Sequence, residues 1–492
     1  MRPSPNGLRA ELPGQTPRQR RAPAPPPTVP GSARLVCRTI YAISLLVPEA
    51  PCYSATNPLA CAIKRRPSVE PEFARAKSSS LELGNAAVLF RRARADGPDV
   101  ILVDTAWFPA DFLAYQLTRR GTRVHAFTPS LRWPPYLRAA HPYRSYVEEP
   151  IGNQKSDSFA AMVERIEPAC IIPCTEQALY WLWHQPEHIQ ERCLPNVPPA
   201  IRPLLLDRAV LLEAAAGWGV ATPTAMPLNS HDDCRAAITA GLPLVVKSGQ
   251  SIGGSGVALC RTSDEVIRAF DDFFRRAASV TAQRYYAGPT YLAGALFLYG
   301  EAVHFYAGEK TVMSPPLTGR AFELRSAVEP HFSALLQASE TVCKNLEWTG
   351  LASFDFVLDE DGQFRFVDFN PRQWGSADAT LTAGVDLYGG LDRWIRHGSA
   401  GPPTRSAPGI VHRVFPVYTL EPSGLSLQRR LRGLHDAPRD AASLVAGELA
   451  REVDERVRRA VRTSNPKKAA NPAPSQLVSA AVDGTADGGR EA

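Results

Sequence analysis

The segment "VDFNPRQWGS" runs from Val367 to Ser376 and sets Asp368, Asn370 and Arg372 at alternate positions of an otherwise apolar stretch. Alternation is the period of a β-strand, so the three polar groups share one side. Upstream, "SFDFVLDEDGQ" carries Asp355 at strand spacing before Asp361-Gly362, a pair favoured in two-residue hairpin loops. With that loop, Glu360 faces Gln363, Asp355 faces Asp368, and Ser353 faces Asn370. Phe354, Phe356, Val367 and Phe369 then form a core face on the other side. Two carboxylates directly opposite lie about 5 Å apart at Cβ and repel, so positive charge is expected between them. Asp355, Asp368 and the amide oxygen of Asn370 are hard ligands suited to Mg2+, which also keeps phosphate oxygens in its shell. The competing reading has Arg372 or Lys310 neutralising the pair. A shared-proton acid–base pair would leave Asn370 and Arg372 without a task.

A phosphate cradle is expected upstream. The strand "LPLVVK" ends in Lys247, and "SIGGSGV" follows with Ser251, Gly253, Gly254 and Gly256. Backbone N–H groups without Cβ obstruction approach phosphate oxygens closely, and a lysine adds a point charge. The bland alternative is a flexible turn. It is not a P-loop, because it lacks G-x-x-x-x-G-K-[ST] and joins two strands. The cradle and the metal hairpin together predict a nucleotide-phosphate site.

Composition narrows the class. The chain has 492 residues, room for two or three domains, with 44% hydrophobic and 21% charged residues. The net charge of +6 originates in the first eighty residues, so no nucleic-acid partner is inferred. No apolar run is long enough for a membrane span; Thr39 to Val47 is too short. The 9 Cys include no C-x-x-C pair, which suggests reduced, buried thiols and a cytoplasmic location.

Residues 1–80 are rich in Pro, Arg, Ala and Ser and read as a disordered basic extension without a secretory signal near Met1. From Leu81 the order is strand (Asp99 to Trp107), helix, strand ("RVHAFTP"), helix ("SFAAMVERIEP"), strand ("ACIIPCT") and helix ("EQALYWLWHQ"). That alternation predicts a small parallel sheet over 81–205, an α/β domain. The first strand-to-helix turn lacks G-x-G-x-x-G, so no dinucleotide is assigned there. Residues 206–426 read as α+β with antiparallel hairpins, one of them turning at Gly300-Glu301. The Arg/Ala-rich tail, 427–492, is partly helical at best.

With these residues in place the chain resembles the ATP-grasp superfamily over roughly residues 85 to 420. "LVVKSGQSIGGSGV" is similar to its lysine strand and phosphate-covering loop. "AQRYYAG" is similar to the segment that reads adenine, and "LASFDFVLDEDGQFRFVDFNPR" to its paired metal strands. "NPRQWGS" further resembles the carboxylate–amine ligase-like branch. The strand–helix repeat resembles the Rossmann-like pre-ATP-grasp domain, followed by a two-subdomain grasp fold.

The resemblance implies that Lys247 contacts the ATP phosphates and that Gln283 and Tyr285 lie near the adenine. It implies that Asp355, Asp368 and Asn370 hold one or two Mg2+ ions, with Mn2+ as a substitute, and that Arg372 faces the transferred phosphoryl group. Arg208 stands where many relatives carry a second phosphate-binding lysine, and Arg284 where an acidic residue is common; the bland reading of Arg208 is a solvated helix residue. The implied reaction is amide formation from a small-molecule carboxylate and an amine through an acyl phosphate. Many relatives are dimers, so a homodimer is compatible. Two alternatives stay open: bicarbonate as the acid, and a nucleotide-binding regulator without ligase activity. Tyr306 to Ala327 is expected to be a substrate lid, with loop chemistry at Pro315-Pro316 and Gly319. Arg325 is its candidate carboxylate clamp, because its fork matches a carboxylate.

Overall fold

The computed structural model describes residues 97–420 apart from 132–140, 153–154, 250–255, 277–278 and 314–319, with scattered positions as far as 451. The chain divides into two compact units, Met1–Arg65 and Arg66–Ala492, and every described residue belongs to the second. The expectations for residues 1–80, for most of the tail, for Ser251, Gly253 and Gly254, and for Pro315-Pro316 and Gly319 lie outside the described residues.

Short apolar runs between helices make the first sheet. Strands β1 (Asp99–Val103), β2 (Arg123–Thr128), β3 (Ser145–Glu148) and β4 (Cys170–Pro173) pair in parallel in the order β3-β2-β1-β4. Val100 to Val103 are wholly buried, which is why β1 reads as an unbroken hydrophobic run. Its helices are α1 (Phe108–Thr118), α2 (Asp157–Ile166) and α3 (Glu176–Leu182). Ser156 and Thr175 cap α2 and α3 by accepting from Phe159 N and Ala178 N, both at 3.1 Å. β1 stops four residues short of Trp107 because Asp104 takes a left-handed φ of 62° and turns the chain. β3 was not expected from sequence: an edge strand of alternating half-exposed residues carries little apolar signal.

Helix α4 (Arg208–Gly217) leads into a small antiparallel sheet. Its strands, β5 (Ala225–Pro227), β6 (Leu244–Ser248), β7 (Val257–Cys260) and β8 (Val280–Arg284), run in the order β5-β8-β6-β7. Helices α5 (His231–Ala240) and α6 (Ser263–Phe274) cover one face. Val266, Ala269, Phe270 and Phe273 of α6 pack on Leu244, Val246 and Ala282, so this sheet has a core of its own.

The largest sheet has seven strands: β9 (Thr290–Leu298), β10 (Glu301–Met313), β11 (Ala321–Ser326), β12 (Gly350–Leu358), β13 (Phe364–Asn370), β14 (Thr404–Arg405) and β15 (Val411–Arg413). The order is β13-β12-β9-β10-β11-β15, with β14 beside β10. β9 and β10 turn at Tyr299 and Gly300, both at positive φ, one residue earlier than the expected Gly300-Glu301. Most of the expected lid is strand: Tyr306 to Met313 continues β10, and "AFELRS" is β11. Helix α7 (His331–Asn345) packs on one face over Phe297, Phe305, Phe354, Phe356, Phe366 and Phe369. On the other face Leu292, Leu296, Leu324 and Leu351 meet Phe112 of α1 and Tyr388 and Leu391 of α8 (Leu387–His397). That second core is continuous from the parallel sheet to the seven-stranded one.

Phe354 touches the rings of Phe366 and Phe369 at centroid distances of 5.7 and 5.0 Å, directly beneath the polar face of β12 and β13. Phe354→Ala is expected to lower the unfolding free energy by about 3–5 kcal/mol. Urea denaturation of the two proteins checks it.

Candidate active site

β12 and β13 carry the centre of the site. Asp355 pairs with Asp368 and Ser353 with Asn370. The connection is not the two-residue loop expected. It is a five-residue turn, 359–363, in which Asp359 N donates to Gln363 O at 3.0 Å. Asp359 is no solvated turn residue: its carboxylate accepts from Gln363 N at 2.8 Å and pairs with Arg365 at 2.7 Å. These bonds, the Gln363 amide first, hold it below the usual carboxylate range. Near the turn the register is one residue out, with Phe356 opposite Phe366, and a bulge at Val367 restores it. The bulge also corrects the core face, because Phe366 is buried there and Val367 is only half-buried.

Val367 has no partner residue in the ladder, and its carbonyl accepts from Lys247 Nζ at 2.8 Å. Lys247 sits at the end of β6 and is buried. Burial pulls its ammonium down to about 8, with Asp368 pulling the other way. Only the charged form attracts phosphate. Nucleotide affinity in the absence of metal is therefore expected to be full below neutrality and to fall as pH rises through 8. Titration calorimetry with ADP in EDTA over about pH 6.5 to 9.5 checks this, and a flat profile would remove Lys247 from the phosphate site.

The neighbouring cations fall on the acidic residues. Lys310 Nζ of β10 lies 2.9 Å from Asp355 Oδ1. Arg208, the first residue of α4, places Nε 2.9 Å from Asp368 Oδ1, off the N–H direction, so this is an ion pair rather than an aligned hydrogen bond. Its Nη1 donates to Ser248 O at 2.9 Å. Arg208 is thus drawn into the site and is not a solvated helix residue; its side chain is 13% exposed.

Arg372 follows the tight turn after Asn370, with its N–H donating to Asn370 O at 2.8 Å. Its Nη2 donates to Asn370 Oδ1 at 3.2 Å, and the guanidinium stacks on the Trp107 ring at 5.0 Å. Gln373 anchors this loop by donating to Pro109 O and the Tyr388 hydroxyl. Trp374 is buried against Gly294 of β9, where a Cβ would stand 2.6 Å from the indole; only glycine leaves that room.

Glu176 was missed from sequence. It opens α3 at the C-terminal end of a parallel strand, where ligands gather in open α/β sheets, and that rule was the available signal. Its Oε1 lies 3.5 Å from Arg372 Nη2 and its Oε2 4.0 Å from Arg208 Nη2. Burial raises its carboxyl above the usual range, opposed by both arginines.

Gln283 of β8 is buried on the same face as Lys247, and its Nε2 has no hydrogen-bond partner among the described residues. Tyr285 is half-buried just beyond it, and Arg284 lies over the Tyr286 ring. Gly256 accepts from Ser248 N at 2.8 Å and so closes the base of the glycine-rich turn. Arg325 does not join the group. It pairs with Glu309, which pairs with Tyr291, which pairs with Phe356, so it is exposed on the opposite face of the sheet from Asp355.

The donor set suits a divalent cation. Among the described residues no group of three or more His, Cys, Asp or Glu surrounds an ion position. Two carboxylates in register and one amide oxygen are what an ion needs when phosphate completes its shell. No described helix is long and apolar enough to cross a membrane.

No family model matches the chain. A biotin carboxylase from Nostoc sp. is 27% identical over 207 residues, covering 39% of this chain and 45% of that protein. A D-alanine–D-alanine ligase from Ectopseudomonas mendocina is 25% identical over 197 residues, covering 38% of this chain and 62% of that ligase. The matches therefore span less than two thirds of either relative. Among solved structures, biotin carboxylase from Campylobacter jejuni superposes with a TM-score of 0.51 at 13% identity, covering 65% of this chain and 76% of that one. The biotin carboxylase domain of Hydrogenobacter thermophilus 2-oxoglutarate carboxylase gives 0.50 at 15%, covering 64% and 74%. Relatives of both kinds are ATP-grasp proteins, and this chain is similar to them in sequence over part of its length and to the solved ones in fold.

Proposed function

We propose that the chain is an ATP-dependent carboxylate–amine ligase that forms an amide through an acyl phosphate and releases ADP and phosphate. One observation carries this reading: Asp355 faces Asp368 across two strands while Lys247, Arg208, Lys310 and Arg372 converge on them. Asp355, Asp368 and Asn370 would hold Mg2+, which would neutralise charge on the nucleotide phosphates. Lys247 then binds phosphate from the side of the small sheet, and Arg208 neutralises Asp368 until the phosphates arrive. Gln283 offers its spare N–H to the adenine edge. Arg372, over the Trp107 ring, takes up the charge that develops on the transferred phosphoryl group.

A second reading has bicarbonate as the acid. It is favoured by the match to biotin carboxylase and by the Hydrogenobacter domain, which was solved with MgADP and bicarbonate. One experiment separates the two: ADP release by the full chain with MgATP against pooled amino acids, with and without bicarbonate. Release that needs an organic acid and an amine supports ligation. Release that needs bicarbonate supports carboxylation, and tight ATP binding with no release under any condition would leave a nucleotide-binding regulator.

A further inference from the structure

Each of the three metal-ligand candidates already bears a cationic side chain. Lys310 is on Asp355, Arg208 on Asp368 and Arg372 on Asn370. Among the described residues, Lys247 on Val367 O makes four cations, against three carboxylates, Asp355, Asp368 and Glu176. A bare divalent ion entering here meets excess positive charge and must displace guanidinium groups from its own ligands. Nucleotide phosphates reverse the sign of the field and draw the lysines.

The two arginines also need somewhere to go, and one carboxylate already touches both. Glu176 reaches Arg372 through Oε1 and Arg208 through Oε2, at 3.5 and 4.0 Å. Arg372 Nη2 already donates to Glu176 Oε1 at the long end of hydrogen-bond range, and a movement of about 1 Å brings the Arg208 contact to full hydrogen-bond length. Glu176 itself is held from behind. The neighbouring Thr175 hydroxyl donates to Asp104 Oδ2 at 2.6 Å, and Asp104 is the turned residue that ends β1. The receiving carboxylate is therefore fixed to the parallel sheet, while the metal ligands belong to the seven-stranded one.

We propose that Glu176 is a positioning residue, the common seat onto which Arg208 and Arg372 withdraw from Asp368 and Asn370, so that the divalent cation enters only after the nucleotide phosphates. This rests on the nucleotide-site reading above and adds an order of loading and the residue that enforces it.

The test uses Mn2+ as the probe, followed by loss of its free-ion electron paramagnetic resonance signal, on the full chain with and without ADP. ADP binding in EDTA is measured separately. In the wild type, Mn2+ is expected to bind at least about thirtyfold more tightly with ADP than without. Glu176→Gln is expected to weaken Mn2+ binding in the ADP complex about tenfold while changing metal-free ADP affinity less than about twofold. Glu176→Asp should recover part of the loss. Arg208→Gln is expected to let Mn2+ bind without ADP, about tenfold more tightly than the wild type does. The proposal is overturned if Glu176→Gln leaves Mn2+ binding unchanged, or weakens Mn2+ and metal-free ADP alike. If that variant does not fold, an Arg208→Gln protein with no gain in ADP-free Mn2+ binding overturns it instead. A folded wild type that binds no ADP would sink the nucleotide site and this inference together, whereas ADP binding with equally tight Mn2+ in its absence would sink the inference alone.

Discussion

Asp368→Ala is expected to reduce substrate-dependent ADP release about a thousandfold or more, since loss of charge stabilisation at a transferring phosphoryl group amounts to several kcal/mol. Asp368 is the central carboxylate of the site. It faces Asp355 across the ladder, pairs with Arg208, and lies close enough to raise the ammonium of Lys247. Without it, the proposed cation would lose one ligand, and Arg208 keeps its bond to Ser248 O and the longer contact to Glu176. The Asp368 side chain is 20% exposed, so the stability cost should be about 1–3 kcal/mol, below that of breaking a fully buried pair. Thermal melting of the same sample separates the two effects. A folded Asp368→Ala protein that releases ADP at a tenth of the normal rate or better would remove this carboxylate from the chemistry.

Arg372→Met is expected to lower kcat about a hundred- to a thousandfold while nucleotide affinity changes about threefold or less. The guanidinium is 7% exposed and lies among Asn370, Gln373 O, Glu176 and the Trp107 ring, so a short withdrawal from Asn370 toward Glu176 keeps it buried beside the site. Arg372→Lys keeps the charge but loses the planar fork and the stack, and should restore about tenfold at most. Steady-state ADP release beside direct nucleotide titration makes the split visible. Equal losses in kcat and in nucleotide affinity would mean that Arg372 binds ATP and does not attend the transfer.

The alternation of Asp368, Asn370 and Arg372 and their pairing with Asp355 were legible because a half-polar strand has a strict period of two. The reason given for the register was wrong. The loop has five residues rather than two, and the bulge at Val367 offsets the difference. A bulge has no local sequence signature here, since Phe366 and Val367 are both apolar and either could face the core. Parallel strands were legible from their length and their intervening helices. β3 and β15 were not, because edge strands bury little. Arg325 illustrates the limit of chemistry without register: its guanidinium is right for a carboxylate, but β11 turns it to the other face. Glu176 lies 192 residues before Asp368 in the chain, and only the packing of the two sheets brings it near Arg208 and Arg372.

The small sheet's private core has a consequence for how the protein fluctuates. Residues such as Val246, Phe270 and Ala282 pack among themselves, whereas α1 and α8 share one core between the parallel and seven-stranded sheets. Local opening follows such boundaries, so the backbone amides of β6 and β8 are set to exchange with solvent deuterium as one block, sooner than those of β9 and β12. Lys247 rides on that block. Its bond to Val367 O and the bond from Arg208 to Ser248 O are polar tethers between the two. A bound nucleotide touching both sides would merge the two exchange classes, and slower exchange across β6 would then report occupancy without any catalytic readout.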